Sequence, residues 1–483
     1  MQQESLRSKT IKGVGWSAVD AFLGQGVTFI VGLVLARLLS PDEYGLIGIC
    51  LIFTTVLNGI VDSGFSNALI RKKNVTDEDY NTMFITNMVI SIVLYVLLFF
   101  SAPFVSDFFK REELTSLVRA TGLVLFFNAL SITQITILTK RIDFKTKTRA
   151  SIISAVASGI VGIAMALYGL GVWSLVGQIV SKQFLYTLCL WFINRWYPTF
   201  RFSLNSFMYM WNFGWKILAS GLLNNIWNQL YQVVVGKYYS PATLGQYTRS
   251  NQFASLFSDN FTTIIQRVSF PILANIQDDT ERLMLAYKKI IKTTMFITVF
   301  VMFILGAVSE PLIHWLLGDK WHEAALFLPL ICLNMSLYPL HAINLNMLQI
   351  QGKSDIFLKL EIIKKVVAIF PILIGIFVSI YYMLIASVIT GFIAFFLNSY
   401  YTGKELKYTS FEQLKDVAPF YVIGFTIGGF VYFLKYLPLA NLCILLIQLF
   451  ISVFLLLIIC TIVKLPEFME IKKIVMNLFR KNQ

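Results

Sequence analysis

Long apolar segments follow one another through almost the whole of this 483-residue sequence, separated only by short polar joints. A helix needs ~20 mainly apolar residues to cross the hydrocarbon region of a bilayer. Of all residues, 57% are hydrophobic and only 14% are charged, a balance typical of a membrane protein and not of a soluble globular chain. No joint is long enough for a separate soluble catalytic domain. The sequence therefore predicts an all-α membrane protein.

The segments predict about fourteen transmembrane helices, arranged as two blocks of six and a final pair. The first block has spans at 13–39, 45–68, 80–104, 114–138, 148–169 and 171–194. The second has spans at 208–236, 242–266, 286–308, 323–349, 361–379 and 381–402, and the final pair lies at 416–436 and 439–463. The predicted domains are an N-terminal bundle at 1–205, a second bundle at 206–405, and a segment at 406–483 with two extra helices and a basic tail.

Two short patterns recur near the start of each block. Gly15-Trp16 opens the first block and Gly214-Trp215 opens the second, an offset of 199. The turn SPDEYG at 40–45 matches the turn SPATLG at 240–245, an offset of 200. Because each block has an even number of spans, the second copy enters the membrane in the same orientation as the first. The sequence thus predicts two six-helix bundles related by a parallel pseudo-twofold repeat.

The net charge of +14 is unevenly distributed along the chain. With the N-terminus placed inside, 30 of the 40 Lys and Arg residues fall in inside segments and seven in outside segments or helix ends. This positive-inside bias predicts that both termini are cytoplasmic, and it makes nucleic-acid binding a poor explanation of the basicity. The five cysteines lie singly in apolar stretches without disulfide or zinc spacing, and the histidines form no metal spacing, so no metal site is predicted.

The three basic residues that belong to neither set lie in apolar parts of predicted spans, where a charge costs at least ~2.5 kcal/mol unless it faces water or a partner. Lys182 is near the middle of its span, so a cavity-facing role or a polar contact between helices is expected. Lys216 and Arg249 lie in the first third of theirs and could instead reach the interface. Arg37, at the outer end of the first span, is a candidate for substrate contact or for an interfacial anchor.

The acidic residues within spans are Asp20, Asp62 and Asp259. Such carboxylates can couple transport to an H⁺ or Na⁺ gradient. The alternatives are a turn cap or an ion pair with the basic cluster at 71–73 for Asp62, and a pair with Lys216 for Asp20.

Polar amides form a stripe at helical spacing along the seventh span, and they include Asn225 and Gln229. These side chains suit the hydroxyl groups of a sugar, but they suit helix packing within the membrane equally well. No phosphate-binding loop and no catalytic constellation of side chains is present, so an enzyme is not predicted.

Several local patterns resemble the polysaccharide transporter branch (Wzx-type flippases) of the multidrug/oligosaccharidyl-lipid/polysaccharide (MOP) exporter superfamily. They are KGVGW at 12–16, RLLSPDEYG at 37–45, DSGFSNALIR at 62–71, GVWSLV at 171–176 and QGKSD at 351–355. The likeness covers roughly residues 5–405, whereas the last two helices match only in number.

The resemblance implies a MATE-like fold that flips an undecaprenyl-diphosphate-linked oligosaccharide across the inner membrane by alternating access. The substrate would then serve surface polysaccharide synthesis, as O-antigen, capsule or exopolysaccharide. The family's lumen is cationic, which gives Lys182, Lys216 and Arg249 a role in holding the diphosphate. Membrane lipid and the polysaccharide polymerase machinery are the other expected partners, and no cofactor is expected beyond an H⁺ or Na⁺ gradient.

The main alternative is a MATE-like, H⁺- or Na⁺-coupled multidrug antiporter. Such a transporter should favour an anionic, aromatic pocket for cationic substrates, whereas the deep charges here are at least as basic as acidic. A polysaccharide polymerase or O-antigen ligase would need a large external catalytic loop, and the longest outside joint is the short segment at 309–322.

Overall fold

The computed structural model describes residues 23–199 and 201–481, and this part of the chain is helical, without a strand. The α-helices in its first half are α1 (Gln25–Leu38), α2 (Pro41–Asp62), α3 (Phe65–Arg71), α4 (Asp77–Phe109), α5 (Leu114–Lys140), α6 (Phe144–Leu167), α7 (Val172–Asn194), α8 (Leu204–Tyr238) and α9 (Pro241–Ala274). Those in its second half are α10 (Thr280–Ala307), α11 (Ser309–Leu317), α12 (His322–Met335), α13 (Tyr338–Ile350), α14 (Ser354–Val367), α15 (Ile369–Phe377), α16 (Ile380–Leu406), α17 (Ser410–Phe433), α18 (Asn441–Ile462) and α19 (Pro466–Lys481).

Ten helical segments in the described part of the chain are long and apolar enough to cross a membrane. They are Pro41–Arg71, Asp77–Phe109, Leu114–Lys140, Phe144–Leu167, Val172–Asn194, Thr280–Ala307, Asp319–Ile350, Ile380–Lys404, Ser410–Tyr436 and Asn441–Ile462. Large apolar side chains stand exposed on them, for example Phe100 (70%), Phe104 (74%) and Phe450 (71%). Such a surface is costly in water but contacts lipid tails favourably in a bilayer. The protein is therefore a multi-pass membrane protein.

Every predicted span overlaps a helix wherever the structure describes it, and the first span is described from residue 23 onwards. Four predicted spans, at 13–39, 208–236, 242–266 and 361–379, are not among the ten apolar segments. The described part of the first is the short apolar helix α1, and α8 and α9 carry many polar side chains. The total of fourteen transmembrane helices stays a prediction.

Two predicted spans are each divided into two helices. The span at 323–349 becomes α12 and α13, and the span at 361–379 becomes α14 and α15. A proline cannot donate to the carbonyl four residues before it, and its ring clashes with that carbonyl. Pro339 and Pro371 lie four residues after Met335 and Val367, the residues at which α12 and α14 end. The prolines therefore account for both breaks.

The turn that begins α2 is closed by a capping box. Ser40 Oγ accepts a hydrogen bond from the backbone N–H of Glu43, and Glu43 Oε2 accepts from the N–H of Ser40 at 2.6 Å. Pro41 occupies the first helical turn, where its missing N–H costs nothing. At the other end, Ser63 (φ 51°) and Gly64 (φ 71°) are both left-handed, which separates α2 from the short helix α3.

Contacts among Cα atoms divide the chain into two compact units, Met1–Gly245 and Gln246–Gln483. Helix α8 packs on α2, α3 and α4, which places it in the first unit. The sequence assigns the same helix to a second bundle, at 206–405, on the basis of the repeat. That division by repeat stays a prediction, because compactness and descent from a repeat are different properties.

Glycines allow the two repeated turns to meet within the first unit. A Cβ atom added to Gly45 would overlap the carbonyl oxygen of Pro241, and one added to Gly245 would overlap that of Pro41. The two contacts are reciprocal, because each turn supplies one glycine and one proline. Only glycine leaves room for backbones this close.

A second close approach joins α8 to the opposite end of α2. A Cβ atom on Gly214 would lie 2.6 Å from the carbonyl oxygen of Ser63, and one on Gly64 would lie 2.7 Å from that of Gly214. We call these contacts, together with those between the two turns, the glycine seam. The glycine of the repeated Gly-Trp pair thus has a packing role in the second copy.

The second unit has a large apolar core built from α10, α13, α16, α17 and α18. Tyr287, Phe395 and Phe420 are among its fully buried side chains. A polar chain crosses this core: Tyr287 Oη donates to Asn344 Oδ1 at 2.8 Å, and Asn344 Nδ2 donates to Gln413 Oε1 at 3.2 Å. Because buried polar groups are costly unless they are bonded, this chain fixes how α10, α13 and α17 pack.

Candidate functional site

Lys182 lies near the middle of α7 and is half-buried within the first unit. Its Nζ atom donates a hydrogen bond to Thr28 Oγ1 of α1 at 3.0 Å. Thr28 Oγ1 in turn donates to the carbonyl oxygen of Gly24 at 2.9 Å. The lysine is therefore held in a polar contact between two helices and retains some accessible surface. A partly exposed ammonium group at this depth suits an anionic ligand.

Pairs of polar side chains join neighbouring helices at a similar depth in the first unit. Asn128 Nδ2 donates to Asn58 Oδ1 at 2.8 Å, which links α5 to α2. Gln183 Nε2, next to Lys182, donates to Ser131 Oγ at 3.2 Å, which links α7 to α5. Sequence reasoning did not select these residues, because a single amide in an apolar segment has no distinguishing pattern. Together they give the middle of this unit a polar character.

The polar side chains of α8 differ in how far they are buried. Asn225 is half-buried against α2, because a Cβ atom added to Gly59 would lie 2.7 Å from Asn225 Nδ2. Gln229, one turn further along, is also half-buried. Lys216 is exposed on the same helix. The contact of Asn225 supports the packing alternative for that residue, whereas Lys216 is accessible.

Arg249 is buried inside the second unit, with 4% of its surface exposed. Its Nη1 atom donates to Gln252 Oε1 at 2.7 Å. Neighbouring residues on α9 bond to the start of α12: Gln246 Oε1 accepts from the N–H of Ala324 at 3.0 Å, and Ser250 Oγ donates to the Ala324 carbonyl at 2.7 Å. The polar run around Arg249 therefore faces protein.

The remaining candidates differ in their surroundings. Asp62 Oδ1 accepts from Ser66 Oγ at 2.5 Å, whereas Lys72 pairs with Asp79 at 2.8 Å. Asp62 thus has a contact at the turn, and Lys72, one member of the basic cluster at 71–73, has a different partner. Arg37 and Asp259 are exposed on α1 and α9. Asp20, with its proposed pair to Lys216, lies outside the described residues.

Solved structures with a similar fold are membrane transporters. The lipid II flippase MurJ in its inward closed conformation aligns with a TM-score of 0.76 and 16% identity, covering 94% of this chain and 98% of that chain. An inward-facing multidrug resistance transporter of the MATE family, from the MOP superfamily, aligns with a TM-score of 0.60 and 14% identity, covering 82% and 99%. The chain therefore has the fold of MOP-superfamily transporters.

Sequence comparison narrows this class. The profile of the family described as "Polysaccharide biosynthesis protein" matches residues 34–326, and the chain belongs to this family.

Two curated relatives are transport or biosynthesis proteins. The succinoglycan biosynthesis transport protein ExoT of Rhizobium meliloti (strain 1021) is 27% identical over 68% of this chain and 67% of its own length. The lipopolysaccharide biosynthesis protein WzxC of Escherichia coli (strain K12) is 25% identical over 77% and 76%. These findings confirm the resemblance to polysaccharide transporters.

Proposed function

We propose that this protein is a flippase that carries a polyprenyl-diphosphate-linked oligosaccharide across the inner membrane for the synthesis of a surface polysaccharide. One observation carries the proposal: a MOP transporter fold extends over nearly the whole of a chain whose sequence belongs to a polysaccharide biosynthesis family. A lipid-linked oligosaccharide has an apolar tail, a dianionic linker and a polar sugar. The tail can stay in lipid while the protein shields the other two parts.

The basic residues within the spans give the linker a place to bind. A diphosphate cannot enter a low-dielectric region unless paired charges replace its water. Lys182 is half-buried beside the polar pairs of the first unit, and Lys216 is exposed on a predicted span, where contact with hydrocarbon would be costly. We assign the first contacts with the diphosphate to these two lysines.

Arg249, Arg37, Asn225 and Gln229 have secondary parts in the proposal. Arg249 is buried and bonded to Gln252. We therefore assign it a role in holding the polar run of α9 in place and not a first contact with the substrate. Arg37 and the two amides are candidates for contact with sugar or phosphate oxygens as the substrate moves.

Orientation and energy coupling are part of the same proposal. The positive-inside bias supports cytoplasmic termini in the inner membrane. An H⁺ or Na⁺ gradient would drive alternating access through Asp20, Asp62 or Asp259, and the exposure of Asp259 suits exchange with water. The polysaccharide polymerase machinery, as the next user of the translocated unit, is the expected protein partner.

A multidrug antiporter is the second candidate, because the MATE transporter shares the fold at a TM-score of 0.60. Fold alone does not separate the two functions, since related transporters use one architecture for different substrates. The sequence relatives and the basic residues within spans both favour an anionic, lipid-linked substrate.

Reconstituted protein provides the test. The full chain is placed in proteoliposomes with a fluorescent polyprenyl-diphosphate oligosaccharide. A quencher that cannot cross the membrane is added outside, and the fluorescence that remains from the inner leaflet is followed over time. A parallel arm measures uptake of a cationic dye across an imposed H⁺ or Na⁺ gradient. We expect the lipid-linked sugar to equilibrate between the two leaflets faster than in liposomes without protein, and we expect no uptake of the dye. Dye uptake without movement of the sugar would replace the proposal with the antiporter.

A further inference from the structure

Helix α19 begins almost immediately after the last membrane span. Helix α18 ends at Ile462, and α19 begins at Pro466. Lys464 is left-handed (φ 54°) and Leu465 is buried, so the chain turns sharply between the two helices. Three intervening residues reach only about 10 Å even when fully extended. Helix α19 must therefore start at the bilayer surface on the side where α18 ends.

The sequence of α19 is amphipathic. Ile471, Val475 and Leu478 recur at helical spacing and define an apolar face. Phe468, at the start of the same face, packs against the core of the second unit, with its ring centroid 6.5 Å from that of Phe296. Met469 and Met476, whose side chains are 46% and 48% exposed, lie by helical spacing on the same side as Lys472 and Lys473 and are not part of this face. A helix with a marked apolar face and a charged opposite face lies in the membrane interface, with its apolar face among the acyl chains.

The charges of α19 are separated along its length. Glu467 and Glu470 lie in its first two turns, and residues 471–483 contain no acid but include Lys472, Lys473, Arg480 and Lys481. Lys472 and Lys473 are both exposed. Residues 471–481 of the helix therefore carry basic charge and no acidic charge.

The two acids fasten the start of α19 to the second unit. Lys292 Nζ of α10 lies 2.7 Å from Glu467 Oε1, and Lys289 pairs with Glu470. One turn away on α10, Lys288 Nζ lies 2.8 Å from Asp416 Oδ2 of α17. Ion pairs thus connect α19 to α10, and α10 to α17.

We propose that α19 is an anionic-lipid binding element. It lies along the leaflet at which α18 ends, with its apolar face among the acyl chains, while Lys472, Lys473, Arg480 and Lys481 bind acidic phospholipid headgroups. Basic residues next to a membrane span or on an amphipathic helix are attracted to acidic lipid surfaces. The acids at the start of the helix do not oppose this attraction, because α10 neutralises them. The inference does not depend on which substrate the protein carries.

Retention of lipid tests the electrostatic part. The full-length protein is purified in mild detergent with phosphatidylglycerol and phosphatidylcholine, and bound lipids are counted by native mass spectrometry. The variant K472Q/K473Q should retain phosphatidylglycerol about tenfold more weakly than the unaltered protein, with unchanged retention of phosphatidylcholine. The matched control is K404Q/K415Q, which removes two exposed lysines outside α19 and should change neither. Equal retention by the two variants would overturn the proposal.

Spin-label accessibility tests the location. In a background with the five cysteines replaced by serine, single cysteines are labelled at Val475 and Asn477, which helical spacing puts on opposite faces. In phosphatidylglycerol-containing nanodiscs the label at 475 should be reached by oxygen, and the label at 477 by a water-soluble nickel complex. Equal access of the nickel complex to both labels would show that α19 stands clear of the bilayer and would overturn the proposal.

Discussion

The two repeated turns at 40–45 and 240–245 share their packing but differ in their capping. Each begins with Ser-Pro and has a glycine four residues after the proline, and each glycine lies against the other turn's proline carbonyl. The first turn is closed by the carboxylate of Glu43, whereas the second has Thr243, whose N–H donates to Ser240 Oγ at 3.1 Å. What the two copies have in common is therefore the close approach of two backbones and a serine Oγ that accepts from the N–H three residues later, whereas the return bond to a carboxylate is free to vary.

The largest expected effect comes from breaking the shared feature. Gly45→Ala or Gly245→Ala places a Cβ atom onto a backbone carbonyl, which cannot rotate away, so each should destabilise the protein by about 3 kcal/mol or more. The measurement is the thermal unfolding midpoint of purified protein in detergent. Gly26→Ala is the control, because a Cβ atom there meets nothing within 4 Å.

The contacts of Gly45 and Gly245 are reciprocal, which makes the prediction more specific. The two variants should lower the midpoint by similar amounts, because the two contacts are equivalent. A large loss for one and none for the other would show that only one turn needs its glycine. Unchanged midpoints for both would contradict the glycine seam.

A smaller loss is expected at the other end of the seam. Gly214→Ala brings its Cβ to 2.6 Å from the Ser63 carbonyl oxygen, so α8 must move by several tenths of an ångström, at a cost of about 1–3 kcal/mol. Gly221→Ala on the same helix is the matched control, since nothing lies within 4 Å of its added Cβ. Equal midpoints for the two variants would mean that α8 is not held through Gly214.

The repeat itself could be predicted from sequence, but the purpose of its glycines could not. Two matched patterns at nearly equal offsets predict a duplicated bundle, because a turn and a Gly-Trp pair are local features. The meeting of Gly45 with Pro241 depends on how distant segments pack. For the same reason the sequence assigns α8 to the second bundle, whereas its contacts place it in the first unit.

The sequence likewise predicted the positions of the candidate site residues along their spans, but not the residues that they contact. The depth of Lys182 follows from its place in an apolar span, but its partner Thr28, 154 residues away, has no signal in the sequence. Of the alternatives left open for Asp62, its bond to Ser66 supports a contact at the turn, and Lys72 of the basic cluster at 71–73 pairs with Asp79. Exposure also separates Lys216, which is exposed, from Arg249, which is buried, although both lie in the first third of their predicted spans.

Capping should distinguish the two turns more modestly. Glu43→Ala removes the acceptor of the Ser40 N–H and Oγ–H groups and should cost about 1 kcal/mol. Thr243→Ala leaves the bond from its own backbone N–H to Ser240 in place and should cost only a few tenths. Thermal midpoints of the two variants test this difference, and a greater loss for Thr243→Ala would reverse the comparison.

The smallest effect concerns an ion pair found beside the first turn. Asp42 pairs with Arg111, and both side chains are more than a third exposed, whereas the repeat places Ala242 at the equivalent position of the second turn. Asp42→Ala should therefore lower stability by less than about 1 kcal/mol, and by less still at high salt. Midpoints measured at low and high ionic strength test this. A loss that does not change with salt would assign Asp42 a role other than pairing with Arg111.

Direct binding of the substrate tests the central claim, that a lysine within a span holds the lipid-linked diphosphate. The dissociation constant of a polyprenyl-diphosphate oligosaccharide is measured for the detergent-purified protein and for Lys182→Ala, Lys182→Arg and the exposed-loop control Lys73→Ala. Losing a charge-assisted hydrogen bond costs about 1.5–3 kcal/mol, so Lys182→Ala should weaken binding roughly 10- to 100-fold, while Lys182→Arg and Lys73→Ala stay close to the unaltered protein. Equal affinity for Lys182→Ala and Lys73→Ala would contradict the claim.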